Sequence, residues 1–396
     1  MTEESLIFIV NPGSASRKYA LFKGGKKVAS IHFEFVDGKV VGCIEHHGEK
    51  RTTNFDDPDL KTASRHVMSM LREFKAIHEG QTIAAIGLRI VAPSRRFMQD
   101  EIISEELENA LNNLHKVAPL HIGTALTEIK ELQKNLPGIP IVAISDSAFH
   151  STKTKCAWYY GFDTGPANRL GILRYGYHGI SVGSVVRNLK DQKMLLPKTI
   201  ICHLGSGSSI TAVGDGKSVD TSMGYSPLEG VMMSTRSGTI DISAALAIKR
   251  DLNMDDSEIE AYLFKKSGLL GVSGSSDDIR QLLSKEVKGD ERAKLALEMF
   301  VYRVQQSIGQ MAASMNGVNC LVFTGTVGER SIIIRNRILK NLGYLGFEVN
   351  SMMNKQTFEP TEVANIADHE SKPILVISTD EAAEIARRTE KYINKK

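Results

Sequence analysis

Residues 199–241 read TIICHLGSGSSITAVGDGKSVDTSMGYSPLEGVMMSTRSGTID. Apolar runs at 199–202 and 210–213 flank a turn rich in glycine and serine, so the pattern predicts two strands joined by a hairpin. Glycines let a backbone approach a ligand closely, and successive N–H groups with serine hydroxyls form a concave set of donors that suits phosphate. Arg236 follows, and its planar fork of donors suits a carboxylate or a phosphate.

The N-terminus repeats this design. Residues 6–10 (LIFIV) predict a strand, residues 11–18 (NPGSASRK) a second glycine and serine turn, and residues 19–22 (YALF) the return strand. Two such units about half a chain apart indicate two related domains, each offering a phosphate-facing hairpin to a shared cleft. One hairpin alone is more often an ordinary surface turn, but the pairing, with cationic residues after each turn, favours the functional interpretation.

Composition narrows the function classes. The chain has 396 residues, enough for two domains, and its 42% hydrophobic and 24% charged residues are typical of a soluble globular protein. The net charge is only +3 and no basic run alternates with aromatic residues, which argues against nucleic-acid binding. Four widely spaced cysteines indicate neither a zinc site nor a disulfide framework. Because no segment resembles a signal peptide or a membrane span, the expected location is the cytoplasm.

The expected organisation is an N-terminal domain at residues 1–152, joined by a C-terminal helix at 380–396, and a second domain at 153–379. Further strands are expected at 28–35, 40–45, 82–87, 139–144, 320–323 and 373–377. Helices are expected at 59–75, 105–114, 123–136, 182–189, 240–252, 256–267, 290–315 and 333–342. Residues 118–122, 269–280 and 324–329 are interpreted as turns or loops.

Several polar residues stand at strand ends or beside turns. Arg89 and Asp146 each follow an apolar run, at the kind of position where α/β proteins commonly build ligand sites. His178, flanked by glycines, would support charge on a transferring phosphoryl group. The structural alternatives are a surface ion pair for Arg89 and a cap for Asp146 or His178. Glu381 is either a helix cap or a metal ligand, and His121 either structural or functional.

Eleven motifs, in order along nearly the whole chain, resemble those of the acetate kinase (acetokinase) family of short-chain carboxylate kinases. They are NPGSASRK (11–18), RIV (89–91), APLH (118–121), DSAFH (146–150), RYGYHG (174–179), HLGSG (203–207), DTSMG (220–224), PLEG (227–230), TRSG (235–238), SGLLG (267–271) and FTG (323–325). The resemblance implies the duplicated α/β fold shared with actin, Hsp70 and sugar kinases, with a nucleotide cleft between two domains and most nucleotide contacts in the domain at 153–379. It also implies a homodimer and a Mg²⁺-dependent phosphoryl transfer between ATP and acetate that gives acetyl phosphate and ADP.

The resemblance also assigns roles to individual positions. Arg89 and Arg236 would clamp the carboxylate and the transferring phosphoryl group, His178 would bond the phosphoryl oxygens, and Asp146 would order the site. The remaining positions are Val91, Leu120, His121 and Pro227 for the substrate, Asn11 and Glu381 for Mg²⁺, and Ser14, Ser16, Lys18, His203, Gly205, Ser206, Gly207, Asp278, Ile279, Arg280, Thr326, Val327 and Gly328 for the nucleotide and its phosphates. Phosphoryl transfer needs mainly alignment and charge neutralisation, so this set is chemically sufficient.

The chain departs from the family pattern beside the acyl pocket and on the nucleotide side. The departures are Ala92 for histidine, Ile122 and Ser206 for asparagine, Ile279 for phenylalanine, Thr326 for glycine and Arg330 for asparagine. A crowded adenosine pocket would favour pyrophosphate or phosphate, so a pyrophosphate-dependent acetate kinase is one alternative. A non-catalytic protein that binds nucleotide or acyl phosphate is another, whereas a sugar kinase would not account for the paired arginines. The preference among acetate, propionate and butyrate stays open.

Overall fold

The computed structural model describes residues 5–13, 16–78, 80–115 and 119–395, with the backbone alone for residues 119–121. The chain divides into two compact units, one running to Ala148 and resumed at Asp380, the other Phe149–Thr379. Each unit is built on a single sheet among the described residues.

The sheet of the first unit has the strand order β5-β4-β3-β2-β1-β6-β8-β7. Its strands are β1 (Leu6–Pro12), β2 (Ser16–Lys23), β3 (Lys26–Val36), β4 (Lys39–His46), β5 (Glu49–Phe55), β6 (Ile83–Ile90), β7 (Glu101–Ile102) and β8 (Ile141–Ser145). Its helices are α1 (Ser64–Glu73), α2 (Glu105–His115) and α3 (Pro119–Asn135). Strands β1 to β5 form an antiparallel meander, whereas β1, β6 and β8 run parallel.

The sheet of the second unit has the order β11-β10-β9-β12-β14-β13. Helices α4 (Lys155–Trp158), α5 (Thr164–Leu170) and α6 (Gly179–Asp191) precede β9 (Lys198–Leu204), β10 (Ser208–Gly214) and β11 (Lys217–Thr221). Then come α7 (Ile242–Asp251), α8 (Asp256–Lys265), α9 (Gly268–Ser273), α10 (Ile279–Val287), α11 (Glu291–Ser314), β12 (Cys320–Thr324), α12 (Gly325–Arg330), α13 (Ile332–Leu339), α14 (Ser351–Gln356), β13 (Ala364–Asn365) and β14 (Ile374–Val376). The last helix, α15 (Glu381–Ile393), packs in the first unit, where Ile385 and Thr389 lie against Gly87 of β6.

The two sheets repeat one arrangement of strands. The order β3-β2-β1-β6-β8 in the first unit corresponds to β11-β10-β9-β12-β14 in the second, and in both a three-stranded antiparallel meander continues into two parallel strands. In both, a short glycine-containing hairpin joins the first two strands. The repeat confirms the duplicated α/β fold expected from the sequence.

Helix α11 fixes the sheet that carries the second hairpin. Leu297, Val301, Val304, Ile308 and Met311 are all buried, as their three- and four-residue spacing predicts. They belong to one apolar cluster with the side chains of β9 and β10, and burial of each large aliphatic side chain contributes about 1.5–3 kcal/mol. The hairpin therefore projects from a rigid support.

Three segments expected to be turns or loops contain helix, so that expectation was wrong for residues 119–122, 269–273 and 325–329; residues 274–278 are a loop that leads into α10, as expected. Residues 119–122 form the start of α3, because the fixed φ of Pro119 and its missing N–H suit the first helical position. In 269–280 and 324–329, glycines with positive φ stand at the ends of short helices: Gly268 and Gly274 flank α9, and Gly325 begins α12. Strand β5 was not predicted because its side chains are mostly polar and exposed; it pairs only with β4, at the sheet edge.

Candidate active site

Four of the predicted site residues meet at the carboxyl ends of the parallel strands of the first sheet. Arg89 Nη2 donates to Asp146 Oδ2 at 2.9 Å, and Arg89 Nη1 donates to Asn11 Oδ1 at 3.1 Å. Asn11 Nδ2 in turn donates to Glu381 Oε2 at 2.7 Å. These contacts follow from topology, because β1, β6 and β8 are parallel neighbours whose carboxyl ends coincide, and Asp380 caps α15 so that Glu381 stands in its first turn.

The charge of Arg89 is secured by its neighbours. Burial by itself disfavours a guanidinium charge, but Asp146 and Glu381 outweigh this effect and hold the pKa of Arg89 above its ordinary value. Asp146 is only 1% exposed, and Arg89 Nε is buried without a hydrogen-bond partner. Arg89 is therefore oriented from two sides.

The same cluster suits a magnesium ion bound together with phosphate. Mg²⁺ prefers oxygen ligands and usually takes one or two from the protein, the others coming from water and substrate phosphates. The side-chain oxygens of Asn11 and Glu381 are donors of this type. Among the described residues no group of three or more His, Cys, Asp or Glu side chains forms a site for a metal by itself. The donor set therefore fits a metal that a phosphate completes.

In the second unit, two histidines lie beside the β9–β10 hairpin. His178 precedes α6 with φ 58°, a left-handed conformation that is uncommon outside glycine, and its side chain does not cap the helix. His178 Nδ1 lies 3.0 Å from Ser209 Oγ, and His203 Nδ1 lies 2.8 Å from Ser181 Oγ. The two ring centroids are 4.3 Å apart. Serine hydroxyls thus orient both rings, and the alternative in which the His178 side chain caps the helix is not observed.

Gly207 shows that His178 and Arg236 share one surface of this hairpin. A Cβ atom at Gly207 would lie 3.1 Å from His178 Nε2 and 3.4 Å from Arg236 Nη1. Arg236 Nη1 also lies 3.4 Å from Pro227 O, to which it donates. The structure therefore brings together the glycine turn, the histidine donor, the arginine and Pro227.

The segments predicted to bind nucleotide adjoin the same turn. A Cβ atom on Gly205 would lie 4.0 Å from Thr326 N at the start of α12. Ser234 N donates to Ser206 O at 3.2 Å. The hydroxyl of Ser234 donates to Asp277 O at 3.1 Å, just before α10. The hairpin, the start of α12 and the segment before α10 are therefore neighbours.

Some predicted nucleotide residues are engaged within the protein. Ile279 is 6% exposed and belongs to the apolar core of the second unit. Asp278 caps α10, and Arg280 binds its carboxylate through Nε and Nη2, which lowers the pKa of Asp278. Arg330, a departure from the family pattern, pairs with Glu359 at 2.5 Å. Thr326 is exposed.

In the first unit, the predicted phosphate residues Ser16 and Lys18 lie on β2, where Lys18 is exposed and pairs with Asn11 across the ladder. Ser14 lies outside the described residues. The structure does not describe the side chains of Leu120 and His121, whose backbone lies in α3.

The acyl-pocket residue Val91 directly follows β6 and is half-buried. Two departures from the family pattern are packed inward: Ala92, which follows Val91, is 1% exposed, and Ile122, which follows His121, is fully buried in the core of the first unit. These two substitutions therefore enlarge the apolar core.

The buried hydrogen bonds that hold the segments predicted to bind nucleotide were not predicted from the sequence. Arg335 is fully buried on α13 and donates to Gly328 O at 2.8 Å, Glu329 O at 2.9 Å and Thr357 O at 2.6 Å. Burial lowers the pKa of Arg335 to about 10. Glu329 Oε1 accepts from Gly325 N at 2.8 Å. The available signal was Arg335 within the apolar pattern of α13, where a buried charged residue needs internal partners.

Comparison with known proteins decides the family. A model of the acetokinase family matches residues 6–387. The chain belongs to the acetokinase family. It is 37% identical to the acetate kinase of Halothermothrix orenii over 98% of this chain and 99% of that protein. The family predicted from the motifs is therefore confirmed.

Solved structures of the acetokinase family extend the similarity to the fold. The chain is similar to a propionate kinase from Francisella tularensis subsp. tularensis SCHU S4, with TM-score 0.89, 33% identity and 98% and 99% of the two chains covered. It is also similar to Porphyromonas gingivalis acetate kinase, with TM-score 0.86, 32% identity and 98% and 100% coverage. Across the ranges that the structure describes, no helix has the length and apolar character to cross a bilayer.

Proposed function

We propose that this acetokinase-family chain catalyses reversible, Mg²⁺-dependent phosphoryl transfer between ATP and a short-chain carboxylate, with acetate as substrate, to give an acyl phosphate and ADP. One observation carries the proposal. His178 Nε2 and Arg236 Nη1 both lie within 3.4 Å of the point that a Cβ atom at Gly207 would occupy, on the glycine turn between β9 and β10. Such a turn presents N–H donors to phosphate, and the two side chains add donors where charge develops.

The described residues divide the chemistry. Arg236 and His178 stabilise the oxygens of the transferring phosphoryl group, and Arg89 binds the carboxylate. When bound, Mg²⁺ neutralises and aligns the phosphate oxygens, and Asn11 and Glu381 supply its protein ligands. Asp146 orients Arg89 through the 2.9 Å bond. Because a carboxylate substrate is already ionised at neutral pH, transfer needs no general base.

Two observations favour ATP over pyrophosphate. Arg330 is held by Glu359, so its charge has a partner within the protein. Thr326 is exposed rather than packed against other side chains, and Gly325 and Gly328 keep the backbone of α12 close to β9. The start of α12 therefore leaves room for a nucleotide.

The acyl substrate is small. Ala92 and Ile122 are packed in the core of the first unit, so we infer that these two substitutions do not reshape the substrate site. The small apolar pocket that the family resemblance implies is then unchanged, so acetate and propionate are the expected substrates.

We further infer a cytoplasmic homodimer. Helix α7 supports the dimer, because Ala245 is its one buried side chain whereas Ile242 is 70% and Leu246 43% exposed. Exposed apolar side chains on one helix favour a protein partner, and a second copy of the chain is the simplest one. The nucleotide co-substrate and the free cysteines among the described residues suit the reducing cytoplasm.

Acyl hydroxamate formation tests the proposed reaction. Purified protein with ATP, Mg²⁺, hydroxylamine and either acetate or propionate is expected to form the hydroxamate, and omission of ATP is expected to abolish it. Replacement of ATP by pyrophosphate is the matched control. Product with pyrophosphate but none with ATP would show that the nucleotide assignment is wrong.

A further inference from the structure

A buried charged pair lies beneath the hairpin that joins β1 and β2. Arg17, opposite Pro12 in the strand ladder, is 5% exposed, and Glu128 on α3 is 1% exposed. Arg17 Nε lies 3.4 Å from Glu128 Oε1, and the hydroxyl of Tyr19 donates to the same oxygen at 3.0 Å. Desolvation makes a buried ion pair a weak source of stability, so its position under a ligand-facing turn points to another role.

The guanidinium of Arg17 is bonded to the backbone of the hairpin. Its Nη1 donates to the carbonyl oxygens of Gly13 and Ser16. Gly13 N itself donates to Ser16 O at 2.9 Å, which closes the turn. Carbonyl oxygens repel an anion and amide N–H groups attract one. By binding both carbonyl oxygens, Arg17 holds Gly13 and Ser16, on either side of positions 14 and 15, in a fixed arrangement.

The second unit provides an internal comparison. The first paired residue after the turn is Ser208, opposite Leu204, as Arg17 is opposite Pro12. The hydroxyl of Ser208 donates to Gly205 O at 3.3 Å, the carbonyl of the first turn residue. The same position of both repeats thus anchors the same carbonyl. A serine does so without charge, whereas Arg17 requires a buried carboxylate.

We propose that Arg17 and Glu128 are positioning residues, in which Glu128 holds Arg17, Arg17 fixes the β1–β2 hairpin, and the strength of this hold follows the charge of Glu128. The inference rests on the proposed function and on the prediction from the sequence that this hairpin faces the phosphates. Neither residue contacts the reacting groups, so the pair acts on phosphate affinity rather than on the transfer step.

Protonation of Glu128 falls in the neutral range. Burial raises the pKa of Glu128 to about 7, against the opposing effects of Tyr19 and Arg17. The polar and charged groups that face this carboxyl are Arg17 and Tyr19 from β2, Ser64 from α1 and Glu131 from α3, the last paired with Arg65 at 3.2 Å. Once protonated, Glu128 no longer attracts Arg17, so affinity for phosphate ligands is expected to fall as pH decreases through about 7.

The test compares the wild-type chain with Glu128→Gln at pH 8 and pH 6, with MgATP and acetate as substrates. The wild-type KM for ATP is expected to rise roughly tenfold from pH 8 to pH 6, whereas Glu128→Gln has the high KM at both pH values. Substrate titration is identical in both proteins, so the ratio of their KM values isolates Glu128. The matched control is Glu286→Gln, which removes the 2.7 Å ion pair with Arg337 in the second unit. Its KM for ATP is expected to equal that of the wild type at both pH values.

The double variant Arg17→Met/Glu128→Met separates positioning from stability. It leaves no unpaired buried charge, so its Tm is expected to match the wild type. Its KM for ATP at pH 8 is nevertheless expected to stay raised and to lose the wild-type pH dependence, with kcat little changed. The inference would be overturned if the double variant had both the Tm and the KM for ATP of the wild type. It would also be overturned if the wild type and Glu128→Gln had equal KM values at pH 8. Absence of phosphoryl transfer in the wild type would instead contradict the proposed function.

Discussion

At the scale of single residues, the guanidinium groups of Arg89 and Arg236 are held by different kinds of contact. Arg89 is held by side chains, through Asp146 and Asn11, whereas Arg236 lies against the hairpin turn and donates to the Pro227 carbonyl. Arg236 Nη1 also contacts the thioether sulfur of Met233. A phosphoryl group bound at this turn would accept charge-assisted hydrogen bonds from the guanidinium.

Loss of Arg236 is expected to affect the transfer step. Arg236→Ala should lower kcat roughly 100- to 1,000-fold, because a donor aimed at developing charge is removed. Arg236→Lys should recover little, since an ammonium cannot reproduce the planar fork. The hydroxamate assay measures both variants. Arg337→Ala, which removes only the pair with Glu286, should leave kcat unchanged; a similar loss there would mean that the effect of Arg236 is not specific.

Lys153 offers a prediction about stability. It is 6% exposed, and burial lowers its pKa from 10.5 to about 8. Between these values the unfolded chain keeps a proton that the folded chain has released. The free energy of unfolding should therefore rise with pH in this window, by up to roughly 3 kcal/mol.

The variant Lys153→Met tests this effect. It removes the buried charge, so it should raise the free energy of unfolding at pH 7 and abolish the rise above pH 8. Urea unfolding at pH 7 and pH 9.5 measures both effects. Lys265→Met, at the exposed end of α8, is the control and should keep the wild-type slope. An unchanged slope in Lys153→Met would contradict the assignment.

At the scale of elements, short helices bounded by glycines carry or adjoin the segments that are predicted to bind nucleotide. Gly325 begins α12 with φ 77°, and a Cβ atom there would lie 2.7 Å from Leu204 O of β9. Gly325→Ala should therefore cost at least about 1 kcal/mol of stability and move α12 away from the hairpin. Thermal unfolding and the KM for ATP measure these effects. Gly161→Ala, which meets no atom within 4 Å, should leave both quantities unchanged.

The elements also show what the sequence can predict. Strands such as β1, β9 and β12 were predicted because continuous apolar runs between turn residues have few other interpretations. Helices α9 and α12 were not, because six residues are too few for a helical period to be recognised between glycines. The turn signal there was correct at the ends of each helix but not within it.

The residues of the candidate site could be predicted from the sequence, but the contacts that hold them in place could not. Arg89, Asp146, Asn11 and Glu381 follow from motifs and lie together in the structure. Their supports depend on distant pairings that no local pattern reveals. Arg388 Nε donates to Asp100 Oδ2 at 2.9 Å across 288 residues, and Arg388 Nη2 donates to Ser145 O beside Asp146.

At the scale of the whole molecule, the exposed face of α7 predicts an assembly. Ile242→Asp/Leu246→Asp should convert a wild-type dimer into monomers, because two charges would be buried at the interface. Size-exclusion chromatography with light scattering measures the masses. Val287→Asp, at a position 87% exposed on α10, should leave the dimer intact. A monomeric wild type, or a double variant that remains dimeric, would exclude α7 as the interface.

The central claim is that the whole chain is an ATP-dependent carboxylate kinase. Phosphoryl transfer from acetyl phosphate with Mg²⁺, run in parallel with ADP and with inorganic phosphate as acceptors, tests it most directly. The account predicts ATP formation with ADP and no pyrophosphate with inorganic phosphate. Pyrophosphate formation without ATP, or no transfer to either acceptor by folded protein, would contradict it.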